Sequence, residues 1–310
     1  MVSIFHQEWW LDTATGGAWE MLESAPHSGV MGRLPIHIRR YLGQPVICLP
    51  PWTRTLGPIM SQPPGKGTTL LRARYRVMED LIRKLPAHRV FKQVFDPSIT
   101  DLLAFQLNGF DLGVQYTFRL HDCANLAAIW QGLRDKTRNV IRRAAERFVV
   151  GIDMPAAEFA AFYFAHCDTC PRHSQGRLEP LIRASVQHSA GTVLYCTDRD
   201  DLVAAVFIVW DDVFAYFLVS ARDERRAGNG AISLLLWEAL KLAGRKGLSF
   251  DFDAFANRGG AMFISQFGGQ LVPRWTVSYL PSVVRLGYAP RSTIARWKTA
   301  MLSASSPTRP

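Results

Sequence analysis

Residues 201–252 read DLVAAVFIVW DDVFAYFLVS ARDERRAGNG AISLLLWEAL KLAGRKGLSF DF. Within this stretch residues 202–210 are apolar almost without interruption, which predicts a strand covered on both faces rather than one alternating between core and solvent. Asp211 and Asp212 form a hairpin turn, and residues 213–220 return as a second strand. A polar loop over residues 221–230 follows, then an apolar helix over 231–245 ending at Lys246-Gly247, then a strand over 248–252. This order predicts a mixed α/β layer around one central sheet.

The loop carries Arg225-Arg226-Ala227-Gly228-Asn229-Gly230-Ala231. Glycine allows close backbone approach to a ligand. A helix N-terminus adds partial positive charge, and two arginines stand beside it. A strand–loop–helix junction of this kind suits a pyrophosphate.

Downstream, residues 259–267 predict a short helix closed by Gly268-Gly269, and residues 271–280 a last strand. The tail from Ser303 predicts disorder. Upstream, residues 193–197 predict a strand, and residues 155–166 and 178–189 helices. Residues 125–149 predict one long helix with Arg134, Lys136, Arg138, Arg142, Arg143 and Arg147 on its polar face. Arg138 and Arg142 stand one turn apart and could clamp a phosphate or an RNA backbone. A solvated face with Asp135 and Glu146 as partners is the other reading. The first third reads as irregular α+β. It has strands at 46–49, 90–95 and 114–120, and a short helix at 102–107 closed by Asn108-Gly109. A helix at 70–85 carries Leu71, Tyr75, Met78, Ile82 and Leu85 on one face.

The whole chain has 310 residues, enough for two domains. It carries 36 basic against 26 acidic side chains, a net +10, which suggests anionic partners such as phosphates, nucleic acid or an acidic membrane surface. Residues 1–150 hold 19 basic and 12 acidic groups, residues 151–310 hold 17 and 14, so most of the excess lies outside the glycine loop. The composition excludes wholesale disorder, collagen and coiled coil. Five scattered cysteines make no disulfide framework, and a reducing cytoplasm is expected. No apolar run approaches the ~20 residues a membrane helix needs, and no signal peptide opens the chain. His166, Cys167, Cys170 and His173 fall close together, but Pro171 interrupts them and no second ligand pair follows, so no metal site is expected.

The glycine loop resembles the acyl-CoA loop of the GNAT (Gcn5-related N-acetyltransferase) superfamily, Q/R-x-x-G-x-G/A. Trp130-Gln131-Gly132-Leu133 with Arg138-Asn139-Val140-Ile141-Arg142 resembles a helix of the FemAB-like branch, also called BioF2-like or CelD-like. So do Phe250-Asp251-Phe252-Asp253-Ala254, Phe263–Gly269 and the opening Ile4–Asp12 segment, so the similarity runs over residues 4–280. Phe255 stands where that branch often has Ser.

The resemblance implies two tandem GNAT-like halves: residues 1–125, residues 126–285, and a C-terminal helix and tail over 286–310. It also implies acyl transfer, most simply acetyl, from acyl-CoA to an amine, without a metal. Arg225, Arg226, Gly228, Asn229, Gly230 and Ala231 would hold the donor, and Arg138 and Arg142 the acceptor. Asp251 and Asp253 are candidates for general base. They alternate along a strand and are expected on opposite faces, so at most one faces the cleft, and either could pair with an arginine instead. Tyr216 is a candidate proton donor to the leaving group. The acceptor would be a small molecule or a glycan- or lipid-linked amine. A second reading has aminoacyl-tRNA as donor and a cell-wall precursor as acceptor, although no heptad-patterned arm is present. A third is a non-catalytic binding module in envelope assembly. DNA is not an expected partner.

Overall fold

In the computed structural model, residues 3–61, 67–167, 172–226, 230–253 and 258–280 are described. A 3-10 turn at Ile4–His6 leads to α1 (Glu8–Thr15), β1 (Trp19–Glu23), β2 (Gly32–Tyr41), β3 (Gln44–Cys48) and β4 (Ile59–Met60). Next come α2 (Gly67–Arg83), β5 (Val90–Val94), α3 (Leu103–Leu107), β6 (Asp111–Leu120), α4 (Leu126–Gly132) and α5 (Asp135–Arg147). They are followed by β7 (Val149–Ile152), α6 (Ala156–Ala165), α7 (Arg172–Gln187), β8 (Gly191–Asp198), β9 (Asp201–Trp210) and β10 (Phe214–Arg222). The chain continues through α8 (Ala231–Arg245), β11 (Ser249–Asp251), α9 (Arg258–Ile264), a 3-10 turn at Ser265–Phe267 and β12 (Gln270–Tyr279).

The strands form one mixed sheet in the order β1-β2-β3-β5-β12-β6-β11-β10-β9-β8-β7, with β4 on β2. Its two flanks repeat one device. An antiparallel run ends in a parallel pair joined by a crossover helix: β3–α2–β5 on one side, β10–α8–β11 on the other. The flanks then exchange their last strands. β6, from the first half, pairs with β11, whereas β12, from the second half, lies between β5 and β6. The fold is thus mixed α/β of the tandem GNAT-like kind.

β9 is the strand covered on both sides, as its apolar run requires, with residues 203–209 buried. Val206 and Ile208 enter the core beneath α5 and α8, while Ala205, Phe207 and Val209 enter the core beneath α1, α6 and α7. Each such large side chain contributes about 1.5–3 kcal/mol on burial. A third core, under α2 and α3, supports the first half.

Two expectations about helices are corrected. The helix expected over 125–149 is two helices, because Leu133 and Arg134 are extended while Leu133 anchors in the core. The apolar face of α2 is turned from the one expected: Ala73, Val77, Met78 and Leu81 are buried, and Leu71 is 59% exposed. β1, β2 and β7 went unpredicted.

Candidate functional site

The parallel pair β10–β11 decides the site. Its register runs Phe214–Ser249, Ala215–Phe250 and Tyr216–Asp251, and ends there. β10 continues to Arg222 on β9 alone, with a bulge between Phe217 and Val219. The two strands therefore part company, leaving a wedge beside Ser220, Ala221 and Arg222. A pocket of about 300 Å³ lies there, closed by Ile232 of α8, Phe263 of α9, His166 and Glu224.

The corresponding place in the first half is filled. After β3 the chain loops out and returns so that Leu56 N–H donates to Val94 O at 2.8 Å and Leu56 bridges Phe95 in parallel. The first half thus closes its own wedge with its own backbone.

At the wedge, Gly230 is the N-cap of α8, and among the described residues no side chain caps the helix. Gly230 has a second reason to be glycine: a Cβ there would stand 2.9 Å from Cβ of Ala144 on α5. Gly228 and Asn229, with Ala227, lie outside the described residues. Arg226 is paired with Asp201 and Asp223, and its carbonyl accepts from Arg147. Arg225 lies in the turn, its N–H donating to Asp223 at 2.9 Å. Ala231 is buried in the helix's first turn.

Asp251 and Asp253 do not diverge. β11 ends at Asp251, and Asp253 adopts φ 64°, which swings its side chain back to the same side. Arg274 on β12 grips both, Nη2 to Asp251 Oδ1 at 2.9 Å and Nη1 to Asp253 Oδ1 at 2.8 Å. Asp251 also accepts from Thr117 Oγ1 at 2.6 Å, from Arg119 Nε at 2.7 Å and from the Asp253 N–H at 2.8 Å. Asp251, Asp253 and Arg274 are 0%, 3% and 2% exposed. Burial alone would raise the Asp251 carboxyl, but Arg274 and Arg119, with Thr117, outweigh it and hold it below the usual carboxylate range. Both carboxylates are thus paired with arginine in the folded chain. Arg54, from the loop that follows β3, completes the group. It pairs with Asp253 and donates to the carbonyl of Leu218 at the bulge.

Arg138 is likewise occupied. Its Nη1 donates to the carbonyls of Gln131 and Leu133 at 2.8 and 2.7 Å, satisfying the C-terminus of α4, and Nη2 pairs with Asp135. Arg142 lies over the Trp130 ring at 5.5 Å. Arg138 and Arg142 thus do not form a matched clamp.

On the sheet face opposite α8, Arg119, Asp251 and Tyr216 stand in cross-strand register. Here a cleft of about 610 Å³ opens between the halves. Its walls include His6, Arg74, Asp96, Asp101 and Arg119 from the first half and Asp211, Phe214 and Tyr216 from the second. The Tyr216 hydroxyl donates to Asp211 Oδ2 at 2.9 Å. Burial, reinforced by Asp211, pushes the phenol well above its ordinary range, so it stays protonated. This cleft is not legible in the sequence, because its residues are scattered from Ser3 to Tyr216.

No family model matches the chain, and no curated protein matches it. Solved structures do. FemX superposes with a TM-score of 0.67 at 12% identity, over 92% of this chain and 94% of that one. The chain has the FemX-like, tandem-GNAT fold. The C-terminal domain of an Agrobacterium fabrum protein assigned as a lysylphosphatidylglycerol synthetase gives 0.60 at 13%, over 98% of this chain and 95% of that one. A tandem GNAT protein from the clavulanic acid biosynthesis pathway gives 0.50 at 11%, over 87% of each. Among the described residues no group of three His, Cys, Asp or Glu is placed to hold a metal, and no helix is long and apolar enough to cross a membrane. Of the His166–His173 cluster, Cys167 is disulfide-bonded, and Cys170 and the His173 side chain lie outside the described residues.

Proposed function

We propose that the chain is an N-acyltransferase that moves an acyl group, acetyl in the simplest case, from acyl-CoA to an amine. The carrying observation is the open wedge between β10 and β11 in the second half, set against the filled wedge in the first. A donor laid along the edge of β10 past Leu218, whose carbonyl Arg54 already holds, would find backbone groups to bond, with its phosphates toward the N-terminus of α8. The loop from Arg225 to Ala231, with Gly228, Asn229 and Gly230, is the proposed cradle. The amine, small or carried by a glycan or lipid, enters the larger cleft on the opposite face. Oriented reactants and a fixed charge near the carbonyl then supply most of the catalysis. In this reading Asp251 and Asp253 fix Arg54 and Arg119 rather than take the amine's proton.

A second reading exchanges the donor for aminoacyl-tRNA. Lys136, Arg142 and Arg143 on α5, with Arg134 at its N-cap, are exposed and basic, and α5 packs against the start of α8.

Mass spectrometry of ligand that co-purifies with the full chain separates the readings. CoA or its esters supports the first, and tRNA with steeply salt-dependent binding the second. Calorimetry showing no affinity for acetyl-CoA or tRNA, with the fold intact, would favour a non-catalytic binding module.

A further inference from the structure

The proposed transfer needs a group that takes the amine's proton, and the carboxylates on β11 are locked to arginine. Among the described residues of the cleft wall, His6 keeps one ring nitrogen uncommitted. It is 6% exposed, and its Nε2 is held by the carbonyl of Gly57 at 3.1 Å. That bond makes Nε2 the protonated nitrogen and leaves Nδ1 with a lone pair. Nδ1 is buried and has no partner among the described residues, an arrangement that costs free energy unless a ligand supplies the missing donor. Burial lowers the imidazole's proton affinity against the opposing pull of Gly57 and Asp96, which keeps the ring neutral at neutral pH.

The charges around the cleft say what kind of donor it receives. Asp96, in the turn after β5, lies 3.6 Å from Arg119 on β6. Asp101, just before α3, has a buried Oδ2 with no partner among the described residues. Asp211, in the β9–β10 turn, accepts only neutral donors: the N–H groups of Ile4, Val213 and Phe214 and the Tyr216 hydroxyl. Neither Asp101 nor Asp211 has an ion-pair partner among the described residues. Arg74 on α2 is the second guanidinium in the wall, so among the described lining residues two guanidiniums face three carboxylates, and this net negative charge attracts ammonium rather than phosphate.

We propose that the cleft binds its acceptor as a primary amine drawn in by Asp101 and Asp211, and that His6 Nδ1 accepts the amine's proton during transfer. This rests on the acyltransferase reading for the chemical step. The amine nitrogen bonds to the donor's carbonyl carbon, the proton passes to Nδ1, and the C–S bond breaks with its electron pair leaving on sulfur. For an aminoacyl ester the C–O bond breaks in the same way.

Two measurements on the full chain test it. The ring nitrogens of His6 are followed by ¹⁵N NMR while n-butylamine or inorganic phosphate is added. Nδ1 should begin as an unprotonated, unbonded nitrogen and shift with the amine but not with phosphate. A shift with phosphate alone, or with neither, overturns the proposal. Next, acetyl-CoA-dependent acylation of n-butylamine is compared between wild type and His6→Gln, which keeps a donor for Gly57. The variant should lose about 100-fold in kcat with little change in the amine's KM, and lose the acid limb of its pH profile. If wild type transfers and the variant keeps its rate and profile, His6 is excluded while the acyltransferase reading stands. If wild type transfers to no amine, that reading falls, and the NMR titration still decides whether His6 meets an amine.

Discussion

Arg274 donates Nη2 to Oδ1 of Asp251 across 2.9 Å. The bond ties the exchanged strand β12 to the end of β11, with Arg119 of β6 on the other carboxylate oxygen. Removing Arg274 takes one cation from each of two buried carboxylates, leaving Asp251 to Arg119 and Asp253 to Arg54. Arg274→Met should cost about 3–5 kcal/mol, read from urea denaturation. Joint replacement of Arg274, Asp251 and Asp253 by apolar residues of similar volume should not recover that loss, because it takes from Arg54 and Arg119 the carboxylates they pair with. A single Arg274→Met variant as stable as wild type would contradict the arrangement.

Gly230 illustrates a different kind of tie. Its α-carbon lies so close to α5 that an added methyl would meet Ala144 at 2.9 Å. Gly230→Ala should cost about 1–3 kcal/mol through overpacking, and Ala144→Gly in the same chain should restore most of it. If the second change restores stability but not acetyl-CoA affinity, the glycine serves both packing and donor. Non-additivity between the two sites, from a double-mutant cycle, is the quantity to measure.

Tyr216 was a candidate proton donor to the leaving group, yet its hydroxyl is bonded to Asp211 in the cleft. Tyr216→Phe should therefore cost about 0.5–1.5 kcal/mol of stability and leave the transfer rate near wild type. A fall of about 100-fold in kcat at unchanged stability would return the tyrosine to the chemistry.

What could be read from sequence followed from where the physics is local. β9 and α8 announced themselves because a long apolar run can only be interior, and the helix over residues 231–245 lies where its pattern placed it. β2 did not, since Pro35, Arg39 and Arg40 interrupt its apolar residues and part of it is exposed. The break between α4 and α5 was hidden because Leu133 keeps helical spacing even though its backbone is extended. The charge cluster was out of reach for another reason. Thr117 and Arg119 lie 134 and 132 residues from Asp251, and only the pairing of β6 with β11 joins them. One signal was present: Arg274 interrupts an otherwise apolar and polar-neutral strand close to the Phe250–Asp253 segment. His6 gave none, because its significance is an unpartnered nitrogen, which is a property of the fold.

The buried titratable groups fix how stability responds to pH. Burial lowers His6 and His37 below the ordinary histidine value of 6.5, so the unfolded chain binds their protons first. Their contribution is complete above that value and is lost as pH falls through it. Asp251, lowered from 3.8, adds a second loss at more acid pH. On the alkaline side, burial pushes Cys48 and Cys123 up to about 11 and Cys196 up to about 12, from 9.0. The unfolded chain then loses those protons first, so stability falls as pH rises above 9.0. Urea midpoints should therefore form a plateau between about pH 7 and 9, with an acid descent in two stages and a single alkaline one. His6→Gln should shrink the first acid stage and leave the second in place. Midpoints that rose on acidification from neutral pH to 5.5 would contradict the burial of both histidines.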